Sequence, residues 1–395
     1  MNDADPHVLY VTRFVPAYRL PILRRLNERL GGNLTICSGD PPKGSSFDGL
    51  VSTTDEGVDR IHLSNLWFKG ESLHWQSFRK LFRLRPTANV VLMEESPRSL
   101  SQRPLIRMAK RQGCGTILWG HFSSNSRSLG SSDWRDKRRL ETAGKADVLL
   151  SYTDDIASQL RRKLPDLPVF VARNTLDTEV LDELYRELNA RGKSSVREEL
   201  GLAPSPTILF LGRLIAEKGV MRVIETVSAL PGDAINVVVI GDGPERNVLT
   251  EKARELGVSV HFTGALGDVR TSAPWIFASD VLLNPGYLGL SVNHAFSLGV
   301  PVVAPMASGP GRMHSPEGAY VVSGENGLLA QSDSVEDLGK AVQSVLADQD
   351  KFSVAALRTA RETLSMDTMI DGLINAVNVA NQIRLRESSG TGRTT

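Results

Sequence analysis

Two cationic side chains, Arg213 and Lys218, lie five residues apart in the segment 211–219. The apolar run 207–211 before them is typical of a buried parallel strand, and Val220 opens a stretch with helical spacing. Both cations therefore fall in a turn between a strand end and a helix start, where open α/β sheets bind ligands. A guanidinium and an ammonium beside helix N–H groups suit a diphosphate, although a solvated surface turn is the alternative.

A second turn of the same kind spans residues 284–291. Gly286 and Gly289 allow the backbone to approach a ligand closely. We expect Ser291 to cap the N-terminus of a helix that carries His294, which would direct free N–H groups toward the ligand of Arg213 and Lys218.

Apolar runs alternate with helical segments along most of the chain, which predicts parallel sheets with helices on both faces. A first set of strands is followed by a largely helical stretch at 174–205, and a second set begins at residue 207. The predicted strands are 7–12, 34–38, 89–93, 116–119, 148–151 and 169–172, then 207–211, 235–240, 258–262, 280–283 and 301–304.

Composition describes a soluble globular protein, with 395 residues, 41% hydrophobic and 23% charged. No apolar run reaches the ~18 residues that a membrane span needs, and the acidic start lacks the features of a signal peptide. Two cysteines, Cys37 and Cys114, exclude a disulfide framework and a cysteine-based metal site. A cytoplasmic location is the default expectation.

Net charge is +1, but it is unevenly distributed. Residues 1–175 hold 27 Lys and Arg against 18 Asp and Glu, whereas the remainder holds 19 against 27. Such a basic half fits an anionic membrane surface or an anionic acceptor, and a solvated helix surface equally well. Nucleic acid is not expected, because few aromatics interleave the cations. Much of the excess lies in Arg79, Lys80, Arg83 and Arg85, and in Arg98, Arg103, Arg107, Lys110 and Arg111.

Five segments carry a family resemblance over about residues 205–350: GRLIAEKG, VVVIGDGPE, VHFTGAL, ASDVLLNPGYLGLSVNHAFSLGVPVVA and SGENGLLA. Together they resemble the donor domain of family 4 glycosyltransferases, and VTRFVPAYRLPILRRL, ILWGH and VARNTLD are similar more loosely. The resemblance implies a retaining enzyme of the GT-B fold, an α/β class in which two Rossmann-like, doubly wound parallel-sheet domains face a cleft.

The resemblance also assigns roles to the two turns. It implies that Arg213 and Lys218 hold the diphosphate of a nucleotide-sugar and act in catalysis. The backbone around Gly289 and Leu290 would donate amides to this donor, and Gly264 and Ala265 would line its base.

Two positions depart from the family pattern, which has glutamates eight residues apart around the glycine-rich turn. Gly286 and His294 occupy them here. The first family glutamate binds the transferred sugar and the second binds the ribose. His294 could bond a ribose hydroxyl or, as an imidazolium, face a phosphate.

His121 directly follows the predicted strand 116–119, where the family places a histidine against the donor sugar. We expect it to be catalytic, orienting the sugar or acceptor. Arg13, Arg19 and Glu94 lie near strand ends and could contact the acceptor, with salt bridges at the core edge as the alternative. No metal or cofactor is expected, because two cations and helix termini can balance the leaving group.

We therefore expect an acceptor-side domain at 1–190, a donor domain at 191–365, a helix at 366–385 that packs back on the first domain, and a disordered tail at 386–395. The predicted activity transfers a sugar with retention to a hydroxyl of a glycan or lipid-linked acceptor, in the cytoplasm or at the inner face of the membrane. The alternatives are a GT-B sugar-nucleotide epimerase and a catalytically silent nucleotide-sugar-binding subunit.

Overall fold

A computed structural model describes residues 6–42, 44, 51, 57–68, 72–122, 134–232, 235–307 and 314–390. The chain forms two compact units. The first unit comprises Met1–Arg173 and Asp367–Thr395, and the second comprises Asn174–Met366.

A seven-stranded parallel sheet forms the centre of the first unit, in the order β3-β2-β1-β6-β7-β8-β9. Strand order reverses between β1 and β6, which makes their carboxyl ends the switch point of this doubly wound sheet. Its strands are β1 (Val8–Val11), β2 (Leu34–Ser38), β3 (Asp59–His62), β6 (Val90–Glu94), β7 (Gly115–Gly120), β8 (Val148–Ser151) and β9 (Val169–Val171).

An antiparallel hairpin of β4 (Asn65–Phe68) and β5 (Leu73–Gln76) lies between β3 and β6 in the chain. Neither the hairpin nor β3 was predicted. In β3 only Ile61 is buried, so this strand shows no apolar run. In β4 the apolar side chains of Leu66 and Phe68 are exposed. Because a surface strand usually exposes polar side chains and buries apolar ones, hydrophobicity alone does not predict this strand.

Helices cover the sheet of the first unit. They are α1 (Leu20–Arg29), α2 (Leu81–Leu84), α3 (Gln102–Arg111), α4 (Trp134–Ala143) and α5 (Asp154–Lys163). The C-terminal helix, Met366–Gly390, extends past the predicted end at residue 385. It approaches β7 and β9 closely, because a Cβ on Gly115 would lie 2.3 Å from the Ala380 carbonyl oxygen and one on Gly372 would lie 2.2 Å from that of Val171.

A six-stranded parallel sheet forms the centre of the second unit, in the order β12-β11-β10-β13-β14-β15. Strand order reverses between β10 and β13, so this is the Rossmann order with its switch point at those two strand ends. The strands are β10 (Thr207–Leu211), β11 (Asn236–Ile240), β12 (Val260–Gly264), β13 (Val281–Leu283), β14 (Val302–Pro305) and β15 (Gly327–Ala330).

Helices of the second unit begin earlier than the predicted boundary at residue 190. The helix α6 (Thr178–Arg191) buries Leu181, Leu184 and Leu188 and places Tyr185 edge-on against Phe277, 5.9 Å between ring centroids. This packing assigns α6 to the second unit, which the division at Arg173 and Asn174 reflects. The other helices are α7 (Lys193–Glu199), α8 (Val220–Ala229), α9 (Arg246–Glu255), α10 (Val269–Phe277), α11 (Ser291–Ser297), α12 (Val335–Ala347) and α13 (Gln349–Glu362).

Candidate functional site

The turns that carry the predicted donor residues lie at the switch point of the second sheet. Arg213 follows the end of β10 by two residues, and Gly286 follows the end of β13 by three. These two strands pair in parallel, so their carboxyl ends lie side by side. The structure therefore brings both predicted turns to the edge of the sheet where doubly wound folds bind ligands.

Lys218 is fixed by the backbone of the opposite turn. It ends a short 3₁₀ helix, Ala216–Lys218, and Gly219 then adopts a left-handed conformation (φ 66°) before α8 begins. The Lys218 Nζ donates a hydrogen bond to the carbonyl oxygen of Tyr287 at 2.8 Å and lies 3.7 Å from the centroid of the Tyr287 ring. These contacts hold the ammonium at one position within the site.

The pKa of Lys218 is lowered to about 8, mainly by burial and also by the nearby Arg213 guanidinium, whereas the Glu317 carboxylate partly offsets this by raising it. Lys218 is therefore mostly an ammonium at neutral pH. Arg213 is exposed, and its charge acts on Lys218. The two positive charges repel each other in the free protein, and an anion that contacts both would relieve this repulsion.

Gly286 packs directly on the backbone that carries Lys218. A Cβ at this position would lie 2.3 Å from the carbonyl oxygen of Glu217 and 2.6 Å from the Cα of Lys218. No side chain fits there unless the backbone shifts. The turns after β10 and β13 therefore meet through this glycine, and a larger residue such as glutamate is incompatible with the conformation seen here.

The helix after this turn begins differently from the prediction. Leu290, not Ser291, is the N-cap of α11, and no side chain caps it. Ser291 is already the first helical residue, so its hydroxyl does not take the capping position. At Gly289 a Cβ would meet no atom within 4 Å, so the backbone beside the helix start is open on that side.

His294 is the fourth residue of the seven-residue helix α11 and belongs to its last turn, and burial lowers the pKa of its imidazole to about 4. It is therefore a neutral imidazole at neutral pH, which favours a hydrogen bond to a hydroxyl over a charged contact with phosphate. Its buried Nδ1 has no hydrogen-bond partner among the described residues. In the same part of the chain, the fully buried Asn284 at the end of β13 has both side-chain polar atoms without such a partner.

Two residues that the sequence did not single out act on this site: His314 contacts the turn after β13, and Glu317 acts on the charge of Lys218. His314 accepts a hydrogen bond from the Leu288 amide at Nδ1 (3.1 Å), and its Nε2 lies 2.7 Å from the carbonyl oxygen of Pro305. Glu317 is buried and accepts a hydrogen bond from the Asn174 amide nitrogen (2.8 Å). Both act through contacts with residues that are distant in the sequence, and no sequence pattern marks such contacts.

Gly264 and Ala265 lie at the end of the edge strand β12. Gly264 has φ 78°, and its carbonyl oxygen accepts a hydrogen bond from the Gly241 amide at 2.9 Å. A Cβ on Gly241 would lie 1.9 Å from the Gly212 carbonyl oxygen, so glycine allows the ends of β10, β11 and β12 to meet. This contact gives the glycine-rich segment after β11 a structural role.

In the first unit, His121 directly follows β7 and is half-buried. Burial lowers the pKa of its imidazole, and the Arg139 guanidinium lowers it further, which favours the neutral ring. Arg139 itself forms a buried network with two carboxylates, at 3.0 Å from Glu95 and 3.2 Å from Asp136. This network fixes the segment after β6 beside the end of β7.

Arg13, Arg19 and Glu94 lie around the switch point of the first sheet. The buried Arg19 guanidinium stacks 4.5 Å above the Trp119 ring, so it contributes to packing at the sheet edge. Glu94 accepts a hydrogen bond from the Thr12 hydroxyl at 2.6 Å. Arg13 is half-buried, and its Nε has no hydrogen-bond partner among the described residues.

The match of this chain to a protein-family model falls within the second unit. The family model "Glycosyl transferases group 1" matches residues 205–348. This chain is 32% identical over 167 residues to the lipopolysaccharide core biosynthesis glycosyltransferase LpsE of Rhizobium meliloti, covering 41% of this chain and 45% of that protein. It is 33% identical over 173 residues to a GDP-mannose-dependent alpha-mannosyltransferase of Corynebacterium glutamicum, covering 42% and 38% respectively. The chain thus spans under half the length of these two relatives.

Solved structures resemble the whole chain. The Anabaena Alr3699/HepE structure in complex with UDP has a TM-score of 0.69 at 14% identity and covers 94% of this chain and 99% of its own. Sucrose-phosphate synthase of Thermosynechococcus elongatus has a TM-score of 0.62 at 17% identity, with coverages of 98% and 99%. The predicted fold class, two Rossmann-like parallel-sheet domains of the GT-B type, is confirmed, and the sequence relatives are glycosyltransferases.

Proposed function

We propose that this chain is a retaining glycosyltransferase that moves a sugar from a nucleotide diphosphate-sugar to a hydroxyl of a glycan or a lipid-linked acceptor. The observation that carries the proposal is that two cations, Arg213 and Lys218, lie near each other at the switch point of the second sheet. A hydrogen bond from Lys218 to the Tyr287 carbonyl oxygen holds the ammonium there. Relatives of the matched segment act in lipopolysaccharide core biosynthesis or use GDP-mannose, and the HepE structures hold UDP or UDP-glucose, which supports this class of donor.

In the proposed reaction, the bond between the anomeric carbon and the diphosphate oxygen breaks, and a bond from the acceptor oxygen to that carbon forms on the same face. The acceptor proton passes to the departing diphosphate. Arg213 and Lys218 stabilise the negative charge that develops on this leaving group. We assign His121 to orienting the sugar or acceptor as a neutral imidazole, and His294 to a ribose hydroxyl. No metal ion and no cofactor is part of this proposal.

The absence of a carboxylate at Gly286 favours one alternative, a nucleotide-sugar-binding subunit without catalysis. A sugar-nucleotide epimerase is the other. Thermal-shift measurements on the full chain with UDP, GDP, dTDP and ADP first identify the nucleotide, because binding to the native state raises the melting temperature. Release of nucleoside diphosphate is then measured from matching sugar donors.

Three outcomes separate the functions. A transferase releases diphosphate faster when an acceptor is added, and the glycosidic product retains the anomeric configuration by NMR. Conversion of the nucleotide-sugar to its epimer, without an acceptor and without net release of diphosphate, would indicate the epimerase. Nucleotide binding with neither release nor epimerisation would indicate the silent subunit, and no binding of any nucleotide would contradict all three.

We further propose that the protein works in the cytoplasm with its first unit at an anionic membrane surface. Arg79, Lys80 and Arg83 are exposed around Leu84, whose side chain is itself exposed. Within the described residues, no helix is long and apolar enough to cross a lipid bilayer. Part of the formal positive charge is already paired, by Arg85 with Asp59, Arg103 with Glu141 and Lys110 with Asp147.

A further inference from the structure

An open groove lies on the second unit, between the segment 322–326 and one face of α13. Its volume is about 600 Å³, compared with about 30 Å³ for one water molecule in the liquid. It is therefore large enough to take several side chains of another molecule. The lining side chains used below are Glu325, Asp350, Lys351, Val354 and Arg358. We refer to this cavity as the α13 groove.

Val354 is the apolar side chain of this groove, and it is 68% exposed. It lies on the solvent side of α13, because the opposite side of the helix buries Phe352, Ala356 and Ala360. Val322, at the start of the opposite segment, is 46% exposed. A partner that covered both valines would remove apolar surface from water. Single exposed valines are ordinary on protein surfaces, so the charges around Val354 decide what the groove fits.

Hydrogen bonds fix both walls of the α13 groove. Asn326 accepts from the Val322 amide at 2.8 Å, and its side-chain amide donates to the Thr359 hydroxyl of α13 at 3.0 Å. On the buried side of the helix, the Ser353 hydroxyl donates to the Gly299 carbonyl oxygen at 2.7 Å. The segment 322–326 and α13 are thus held together, and a partner would meet a surface that is already formed.

Positive and negative charges are equally represented in the groove. Glu325 and Asp350 are carboxylates, and Lys351 and Arg358 are cations, with Glu325 and Arg358 3.9 Å apart. Because neither sign prevails, the groove does not suit a nucleic acid or an anionic lipid surface. Asp350 and Arg358 lie four residues before and four residues after Val354, so all three share one stripe of the helix.

This arrangement is complementary to itself in a second copy of the chain. When two α13 helices cross antiparallel about a twofold axis at Val354, Asp350 lies opposite the partner subunit's Arg358. Lys351 then comes within reach of the partner subunit's Glu325, which lies beside that arginine. The axis generates each ion pair twice. A parallel alignment would instead place identical charges against each other, which is unfavourable.

We propose that the α13 groove is the contact surface of a symmetric homodimer, in which α13 of each copy occupies the groove of the other. The 14 residues of α13 span about 21 Å, so the contact is small beside the roughly 1,200 Å² of a standard interface. The dimer is therefore weak, and its population depends on concentration. The inference does not rest on the proposed function, because none of the groove side chains belongs to the donor turns.

Sedimentation velocity of the full chain over roughly 1–500 μM tests the proposal. The weight-average sedimentation coefficient should rise with concentration from the monomer value toward the dimer value. Asp350→Arg and Arg358→Asp should each weaken dimerisation by at least roughly tenfold, since like charges then face each other across the axis. An equimolar mixture of the two variants should dimerise again, because every substituted side chain then faces a side chain of opposite charge.

Glu251→Arg is the matched control, because it makes the same change of charge at an exposed position on α9 of the same unit and should leave dimerisation unchanged. Thermal unfolding checks that each variant is folded. If one of the two charge reversals does not fold, Val354→Arg replaces it, since it places two cations at the axis and should also prevent dimerisation. A protein that stays monomeric throughout, a dimer that no groove variant weakens, or a mixture that remains monomeric would each overturn the proposal.

Discussion

Lys218 and Tyr287 contact each other twice, through the hydrogen bond from Nζ to the Tyr287 carbonyl oxygen and through the approach of the same ammonium to the Tyr287 ring. They belong to the turns after β10 and β13, which are distant in sequence and adjacent at the switch point. The contact therefore couples the position of the Lys218 ammonium, which we propose binds the diphosphate, to the conformation of the glycine-rich turn. Changes in either turn should affect donor binding through the other.

Gly286→Ala should weaken nucleotide binding and lower the melting temperature, because the new Cβ would lie 2.3 Å from the Glu217 carbonyl oxygen. The cost of forcing such a contact is typically about 1–3 kcal/mol. Gly339→Ala on α12 of the same unit is the matched control, since the nearest atom that a Cβ there would meet, Cδ2 of Leu230, lies at an ordinary van der Waals distance of 3.5 Å. Calorimetric binding of the nucleotide and thermal unfolding are measured for both. Equal effects of the two substitutions would contradict the close packing of Gly286 on Lys218.

Donor binding should depend on pH through Lys218, whose pKa is about 8 in the free protein. The diphosphate binds the ammonium form, so affinity should be constant below neutral pH and fall as pH rises through this pKa. Arg213, Glu317, His314 and the Tyr287 ring are the charged or titratable groups that act on or contact Lys218.

Calorimetry in buffers of different ionisation enthalpy checks this dependence, because binding near pH 8 should take up a proton and binding at pH 6 should not. Glu317→Gln should move the fall in affinity to lower pH, since the carboxylate raises the pKa of Lys218. Lys218→Arg should remove the dependence altogether, because arginine stays charged. A pH profile that Glu317→Gln leaves in place would contradict the role of that carboxylate.

His294→Ala should weaken nucleoside diphosphate binding and leave the melting temperature nearly unchanged. Its imidazole is neutral at neutral pH, and its Nδ1 has no partner among the described residues, so little native bonding is lost. For the same reason the wild-type contribution of His294 should not vary between pH 6 and 8. A large loss of stability with unchanged nucleotide affinity would show that His294 only fills the core.

Much of the second unit was predictable, because its strands β10, β11, β13 and β14 are almost fully buried and read as continuous apolar runs. Four strands of the chain were not predicted, for physical reasons. Only Ile61 of β3 is buried, the hairpin β4–β5 exposes apolar side chains, and β15 was visible only as a motif. The sequence predicts a domain boundary near residue 190, whereas the two units of the structure divide at Arg173 and Asn174, ahead of α6. The packing of α6 on Phe277, which joins it to the second unit, leaves no signal in the sequence of the helix itself.

The same contrast holds for the site. The turn with Arg213 and Lys218 could be predicted from its position between a strand and a helix, and the structure places it at the switch point of the second sheet. His314 and Glu317 have no such signal. His314 contacts the backbone of Leu288 and Pro305, and Glu317 contacts the side-chain amide of Asn174, and these partners become neighbours only in the folded chain.

Association with membranes should depend on Arg79, Lys80 and Arg83. Each exposed cation contributes on the order of 1 kcal/mol near an anionic surface, and salt screens the effect. Co-sedimentation with liposomes should rise with the fraction of anionic lipid, fall as salt increases, and decrease when the three residues are replaced by Gln. Nucleotide affinity serves as the control, since these residues lie in the first unit. Failure to sediment with anionic liposomes at low salt would favour a soluble acceptor.

The central claim is that Arg213 and Lys218 bind the leaving diphosphate, and kcat/KM for the donor tests it most directly. Arg213→Ala and Lys218→Ala should each cost roughly 2–4 kcal/mol of transition-state stabilisation, and Arg213→Lys should not restore activity, because the planar fork is lost. Arg254→Ala, an exposed arginine on α9 of the same unit, should leave kcat/KM unchanged. Values within threefold of wild type for both alanine variants at the site would contradict the account.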